Sequence, residues 1–472
     1  MKIRKVKWKD HPVLGNLELD FVNPSTGVVY DNIVFAGENG TGKTKILTTL
    51  NSFLCIGSFS PFEYIEYEFI GVDGNKQVYR AIPYQGDNYQ DGFISLKKMP
   101  DGDVKSLRRS KKINVNDIEK DPSDPRYYGC VMSKAKASFN TKGINQVPTQ
   151  ELDKIIHDTD DEADYTALMQ LLIDLDNEDA LAYRAENTKR KDEGLASITP
   201  EDYNPQTKLY RFSEAFKVIF NEDIILNSVG RKNVNQTVLF KKNECNIPID
   251  SLSTGEKQIV FRGAYLLRNL GKLNGAIIMV DEPEISMHPK WQKKILGYYT
   301  GLFKEGEKKE EEVKDTRKQI AQMFFATHSD HVVKSALEEI ANSTVIILNE
   351  DNGTVKAKSI NVPMILPIVT SGEVNYMAYD IPSIDYHTSL YGYLQFKIGK
   401  EKVLDTDTYI TKQAAYDAGK HKKITKYKTT TYQTICTYVR NQIDHPDPLV
   451  ILKDEDIRTS IELLIELIKA IP

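Results

Sequence analysis

Residues 251–292 read SLSTGEKQIVFRGAYLLRNLGKLNGAIIMVDEPEISMHPKWQ, and the fold turns on this stretch. Its opening LSTGEKQ predicts a helix start. Ser253 stands where a cap is needed, and Glu256, three residues on, reaches back toward the exposed amides. The run from Ala276 to Val280 is apolar without a break, as in a strand buried on both faces of a parallel sheet. That strand delivers Asp281 and Glu282 to its carboxyl end, the edge at which open α/β sheets bind ligands.

Working outward, a matching element lies far upstream. Residues 1–36 alternate as strands, and YDNIVFA at 30–36 becomes apolar at its centre. Then come Gly37, Glu38, Asn39, Gly40, Thr41, Gly42, Lys43 and Thr44, followed by KILTTLNSFL with helical spacing. A strand, this glycine pattern and a helix make a nucleotide phosphate loop. The glycines let successive amides turn toward phosphate, and the helix start adds positive potential. Lys43 is expected to reach the terminal phosphates and Thr44 to hold Mg²⁺ through its hydroxyl.

At 472 residues the chain predicts two or three lobes, with 40% hydrophobic and 27% charged residues typical of a water-soluble protein. A net charge of −5 gives no global case for nucleic-acid binding, so any such surface is local. Cys55, Cys130, Cys245 and Cys436 have no paired spacing, which points to a reduced, cytoplasmic protein without a zinc site. No apolar run is long enough for a signal peptide or a membrane span.

Residues 61–96 hold three strand-like runs, read as an antiparallel side-sheet. Residues 97–125 are charged and read as an exposed connection, with Arg108, Arg109, Lys111 and Lys112 as a solvated cluster in preference to a phosphate-binding patch, since no aromatic is interleaved. Residues 150–220 have helical stripes without sustained heptads. The charged run 304–318 reads as solvated surface, and QIAQMFFATHSD as another buried strand ending at His328.

Taken in order, the phosphate loop, LSTGEKQ, VDEPE, SMHP and ATHS resemble the ATPase domains of the ABC superfamily. The likeness is to the compact SMC/RecF/OLD-like branch found in bacterial phage defence, which includes the Septu-type and anticodon-nuclease ATPases. The resemblance runs over about residues 1–350. It implies an α/β fold: an ABC-type core with a mixed central sheet and antiparallel side-sheet, a helical insertion and a mostly helical C-terminal domain. The boundaries expected are 1–100 and 226–360 for the two halves of the core, 101–225 for the inserted lobe and 361–472 for the C-terminal domain. It further implies ATP and Mg²⁺ as cofactors, with Asp281 holding the metal through water and Glu282 orienting the attacking water. Ser253, Thr254, Gly255 and Glu256 would form a signature loop that caps ATP held by a second copy. Residues 286–289 would contact that copy, and His328 would sense the γ-phosphate. The family's usual glutamine has three candidates, Gln77, Gln85 and Gln90.

In the C-terminal third, tyrosines 376, 379, 386, 391 and 393 read as helix anchors with hydroxyls at the surface. A basic run, KHKKITKYKTTTY, precedes Arg440-Asn441-Gln442-Ile443-Asp444-His445. This hexapeptide resembles the active-site motif of HEPN ribonucleases, which implies metal-independent RNA or tRNA cleavage through Arg440, Asn441 and His445. The same residues also fit a helix end in which Arg440 pairs with Asp444 and His445 caps. The expected partners are a further copy of the chain, a nuclease subunit encoded nearby, or nucleic acid, and no membrane. A RecF/SMC-like role in DNA repair is the remaining expectation.

Overall fold

A computed structural model describes residues 1–55, 59–85, 92–108, 121–135, 157–159, 168–232, 235–268, 274–306, 317–338, 342–360, 364–427, 429–446, 448–449 and 451–471. The chain divides into two units, Met1–Ser359 and Ile360–Pro472.

The first unit is α/β. Its seven-stranded sheet runs Thr354–Ile360, Ser343–Asp351, Asn32–Gly37, Gln322–Ala326, Ile277–Asp281, Cys130–Ser133 and His157–Thr159. From Ser343–Asp351 to His157–Thr159, neighbouring strands pair in parallel. Asn32–Gly37, Ile277–Asp281 and Gln322–Ala326 are buried at every residue, because both faces of the sheet are covered. On one face, Ile33, Phe35, Ile277, Met279 and Phe324 join a single core with Ile46, Leu47, Leu50 and Phe53 of the helix Lys43–Cys55. That core continues into Ile3, Val6, Trp8, Phe62 and Ile65 of a six-stranded antiparallel side-sheet. The helices Thr254–Arg268, Leu168–Asp192, Lys208–Phe220 and Ile295–Leu302 pack together. They carry a three-stranded antiparallel sheet of Ile224–Lys232, Asn235–Lys242 and Cys245–Pro248.

The middle of the unit differs from its reading as sequence. Cys130–Ser133, expected inside a helical lobe, is a buried strand beside Ile277–Asp281. Four residues are too few to show a period. Residues 97–125, expected to be an exposed connection, include an edge strand, Val104–Arg108, and a buried turn. In that turn Arg126, 1% exposed, pairs with Asp124 at 2.6 Å and donates to the Arg108 carbonyl. Charge alone read as solvent exposure; a local ion pair buried it. Arg109, Lys111, Lys112, Gln90 and most of the charged run at 304–318 lie outside the described residues.

The second unit is mostly helical. Ser371–Tyr379, Ile384–Ile398, Val403–Thr411, Ile435–Asp444 and Asp454–Ala470 enclose a core of Tyr386, Leu390, Leu394, Cys436, Val439, Ile461 and Leu464. A two-stranded ribbon, Lys422–Tyr427 with Thr430–Thr434, leads into Ile435–Asp444. The Asp407 carboxylate fastens that junction by accepting from the Gln433 and Thr434 amides and the Thr434 hydroxyl. Not all of the anchor tyrosines keep their hydroxyls at the surface as expected. Tyr386 and Tyr391 are buried, and their hydroxyls meet Glu373 at 3.4 Å and Thr437 at 3.2 Å. A hydroxyl with an internal partner can stay inside a core.

Candidate functional site

The strand Asn32–Gly37 ends in a glycine because a Cβ at Gly37 would lie 2.2 Å from the Leu348 carbonyl oxygen, and φ there is +135°. The chain then wraps into the phosphate loop and enters the helix Lys43–Cys55. Lys43, 5% exposed, lays its ammonium against the loop's own carbonyls, Gly37 at 2.9 Å and Glu38 at 2.7 Å. Burial pulls its pKa down to about 8, opposed by Asp281, Glu282 and Glu284. Those carboxylates and Glu38 thus sit within electrostatic reach of one buried cation, at the sheet edge where phosphate is expected.

Thr44 donates its hydroxyl to Asp281, 3.1 and 3.0 Å from the two carboxylate oxygens. Asp281 is 5% exposed, and burial raises its pKa against the Thr44 bond. A hydroxyl and a buried carboxylate are hard oxygen donors. Such a set fits Mg²⁺, which takes few protein ligands and keeps waters and substrate phosphates as the rest.

Glu282 follows on a strained backbone, with φ +46°. Its amide donates to the Ala326 carbonyl at 2.8 Å, which ties the turn to the neighbouring strand. His328 lies beyond that strand. Burial and Lys43 lower its pKa, against the pull of Glu282 and a hydrogen bond with the Gly37 backbone. The structure therefore brings residues 37–44, Asp281, Glu282 and His328 to one edge of the parallel strands.

The start of the helix Thr254–Arg268 is the reciprocal box expected there. Glu256 accepts from the Ser253 amide at 2.7 Å, and the Glu256 amide donates to the Ser253 hydroxyl at 3.4 Å. Ser253 and Thr254 are exposed, while Gly255 packs so closely that a Cβ would lie 2.9 Å from the Ser286 carbonyl oxygen. Burial raises the Glu256 pKa, but the Lys242 ion pair at 2.8 Å and the Ser253 amide outweigh it and hold the carboxyl below its ordinary value. Because the folded-state value is depressed, the stabilisation is present above the unfolded carboxylate range, near 4.3. It is lost as pH falls through the lower folded value. Glu256→Gln is expected to lower the unfolding free energy from urea titration at pH 7 by about 1 kcal/mol. The difference from the parent should narrow as pH falls below the ordinary carboxylate range; a difference that stays constant as pH is lowered contradicts the assignment.

Several members of the site escaped sequence reading. Arg262, fully buried, donates to the carbonyls of Asp281 at 3.2 Å and Glu282 at 2.9 Å. Its other nitrogen donates to those of Lys134 at 2.6 Å and Ala135 at 2.9 Å. Its only signal is a cation inside the apolar run IVFRGAYLL. Glu284 accepts from the Thr327 hydroxyl at 2.8 Å and the His328 amide at 2.9 Å, which fixes the His328 loop. Ser329 donates to Gln292 at 2.7 Å, and Gln292 donates to the Met287 carbonyl. Of the glutamine candidates, Gln77 turns to Asp73 at 3.4 Å, and the Gln85 amide donates to Ser95.

Arg440, Asn441 and His445 lie in the second unit. Arg440 pairs with Asp444 at 2.5 Å and donates to Asn441 at 3.0 Å. Asn441 is buried, and the exposed His445 stacks flat on Tyr427 with ring centres 4.1 Å apart.

Fold and site together define an α/β nucleotide-binding core of the ATPase class. The chain belongs to the family described as "AAA domain, putative AbiEii toxin, Type IV TA system", which matches residues 33–334. The matched residues extend from the strand before the phosphate loop into the helix after His328. No curated protein matches the chain. Among solved structures, an Smc head bound to the C-terminal winged-helix domain of ScpA is 15% identical, with TM-score 0.42, covering 77% of this chain and 98% of that one. The SMC head domain from Thermotoga maritima is 12% identical, with TM-score 0.36, covering 77% and 100%. The Smc head with extended coiled coil from Pyrococcus furiosus, bound to the C-terminal domain of ScpA, is 13% identical, with TM-score 0.37, covering 76% and 96%. Among the described residues no helix is long and apolar enough to cross a membrane.

Proposed function

We propose that this chain is a cytoplasmic ATPase of a bacterial phage-defence system, whose ATP-driven dimer controls a nuclease. The Thr44–Asp281 hydrogen bond beside Lys43 and Glu282 carries this reading, because it joins the phosphate loop to the acidic strand end. Mg²⁺, held by Thr44 and through water by Asp281, would supply charge neutralisation at the phosphates. Lys43 would exchange its own loop carbonyls for the terminal phosphates. Glu282 would orient and deprotonate water, and His328, held by Glu284, would sense the γ-phosphate. The exposed Ser253 and Thr254 suit a loop that caps nucleotide on a second copy. The family description, which names a toxin, supports a defence role. Phage plating on cells carrying the gene with its neighbours tests the reading. Protection should be lost in Glu282→Gln and Lys43→Ala; protection unchanged in both would overturn it.

A second reading, in which the C-terminal unit itself cleaves RNA or tRNA, draws support from the exposed His445 one turn from Arg440. On this reading Arg440 must trade Asp444 for a phosphate. Purified protein should cleave RNA, and His445→Ala should reduce the rate by about 10²-fold or more. Equal cleavage by the variant, or none with any nucleotide, would dismiss it.

A further inference from the structure

The ribbon of the second unit sorts its basic residues into two kinds. From Lys420 to Tyr432 the sequence holds five lysines and no acidic residue. Two of these serve the fold. Lys420 pairs with Glu462 at 3.2 Å, and Lys423 pairs with Asp456 at 2.5 Å while its ammonium lies 4.3 Å from the Tyr438 ring centre. Lys422 and Lys426 do neither. They lie with Ile424 on the outward face of Lys422–Tyr427, where exposure alternates residue by residue, and Ile424 is 61% exposed. Among the described residues neither lysine has an acidic partner. At a strand rise of about 3.3 Å per residue the two ammonium groups are anchored about 13 Å apart along the ribbon. At its far end the Tyr427 ring lies against the exposed imidazole of His445, interplanar angle 6°. Arg440 stands one turn before that imidazole.

We infer that this ribbon face is a binding surface for single-stranded nucleic acid. Two cations without an acidic partner among the described residues offer the backbone phosphates local positive charge on a chain of net charge −5. The His445–Tyr427 stack offers a flat aromatic end on which a splayed base can rest, and stacking of this kind tolerates any base. An exposed isoleucine between the lysines suits the apolar edge of a base or sugar better than bulk water. The pairing of Lys420 and Lys423 with helix acids is what separates a fold-holding lysine from a ligand-holding one here. The inference deepens the nuclease reading by giving its nucleic acid a place to bind, and it can fail separately from that reading.

Fluorescence anisotropy of the full chain with labelled 20-nucleotide oligo(U) RNA and oligo(dT) DNA, titrated from 50 to 200 mM salt, tests it. Lys422→Glu with Lys426→Glu is the variant, and ATP hydrolysis and circular dichroism are its controls. Wild type should bind at least one strand. The double variant should bind about tenfold or more weakly and lose about 1.4 from the slope of log K against log salt, at about 0.7 per phosphate contact. Its hydrolysis should be unchanged. The RNA and DNA arms separate the two sources of strand. No binding by wild type, or equal binding by the variant, overturns the surface. Binding to a partner protein that the variant loses, without any binding to either strand, also overturns it. Loss of hydrolysis in the wild type with ribbon binding intact would overturn the ATPase reading alone.

Discussion

Glu282→Gln is expected to slow ATP hydrolysis by about 10²–10⁴-fold while ATP binding persists, since general-base assistance contributes that much in comparable sites. Glutamine keeps the size and the backbone bond to Ala326, and with the same unbranched Cβ it meets the same strain at φ +46°. Only the ability to accept a proton from water is lost. In kinetic terms kcat should fall with KM little changed, the pattern of an interaction made in the transition state. Steady-state phosphate release and nucleotide binding measured on the same preparation check it. A variant within threefold of the parent rate would remove Glu282 from the chemistry, and the role of base would pass to another group near Lys43. Glu284 is one such carboxylate, but one of its oxygens is already committed to the His328 loop.

The second large effect is expected at Arg262. Its guanidinium reaches four carbonyl oxygens from two segments, the acidic strand end and residues 134–135. Arg262→Ala leaves those carbonyls without their donor and opens a cavity where a fully buried side chain stood. A cost on the order of 3 kcal/mol is expected for such a loss. Catalysis should suffer beyond stability, because the carbonyls of Asp281 and Glu282 are what Arg262 holds. A shift of about 1 Å in a catalytic group can cost 10²-fold. Arg262→Lys keeps the charge but cannot fork between segments, and should recover only part of either loss. Urea unfolding together with kcat for both variants checks this. Full activity in a folded Arg262→Ala protein would show that the strand end needs no such support.

The parts of the molecule legible in the sequence were those whose chemistry is local. The glycine at position 37 is required by a carbonyl 2.2 Å from where a side chain would start, and glycine patterns announce such constraints. The Ser253–Glu256 box is written in two residues three apart, and its hydrogen bonds are found as read. Unbroken apolar runs marked Asn32–Gly37, Ile277–Asp281 and Gln322–Ala326, because strands covered on both faces have no polar side to interrupt them. What escaped was long-range or short. Cys130–Ser133 is a strand only because Ile277–Asp281 lies beside it. Arg262 bonds to carbonyls 19 and 128 residues away, and such partners leave no trace in spacing. In the second unit, Tyr391 keeps its hydroxyl inside because Thr437, 46 residues on, accepts it into the core.

The central claim is that ATP is held between the phosphate loop of one copy and Ser253 of another. Light-scattering mass of Glu282→Gln, measured with and without Mg²⁺ and ATP, and again after adding Ser253→Arg, tests it most directly. The mass should double on adding nucleotide and stay single when arginine fills the capping loop. A mass indifferent to ATP, or a doubling that survives Ser253→Arg, would contradict the claim.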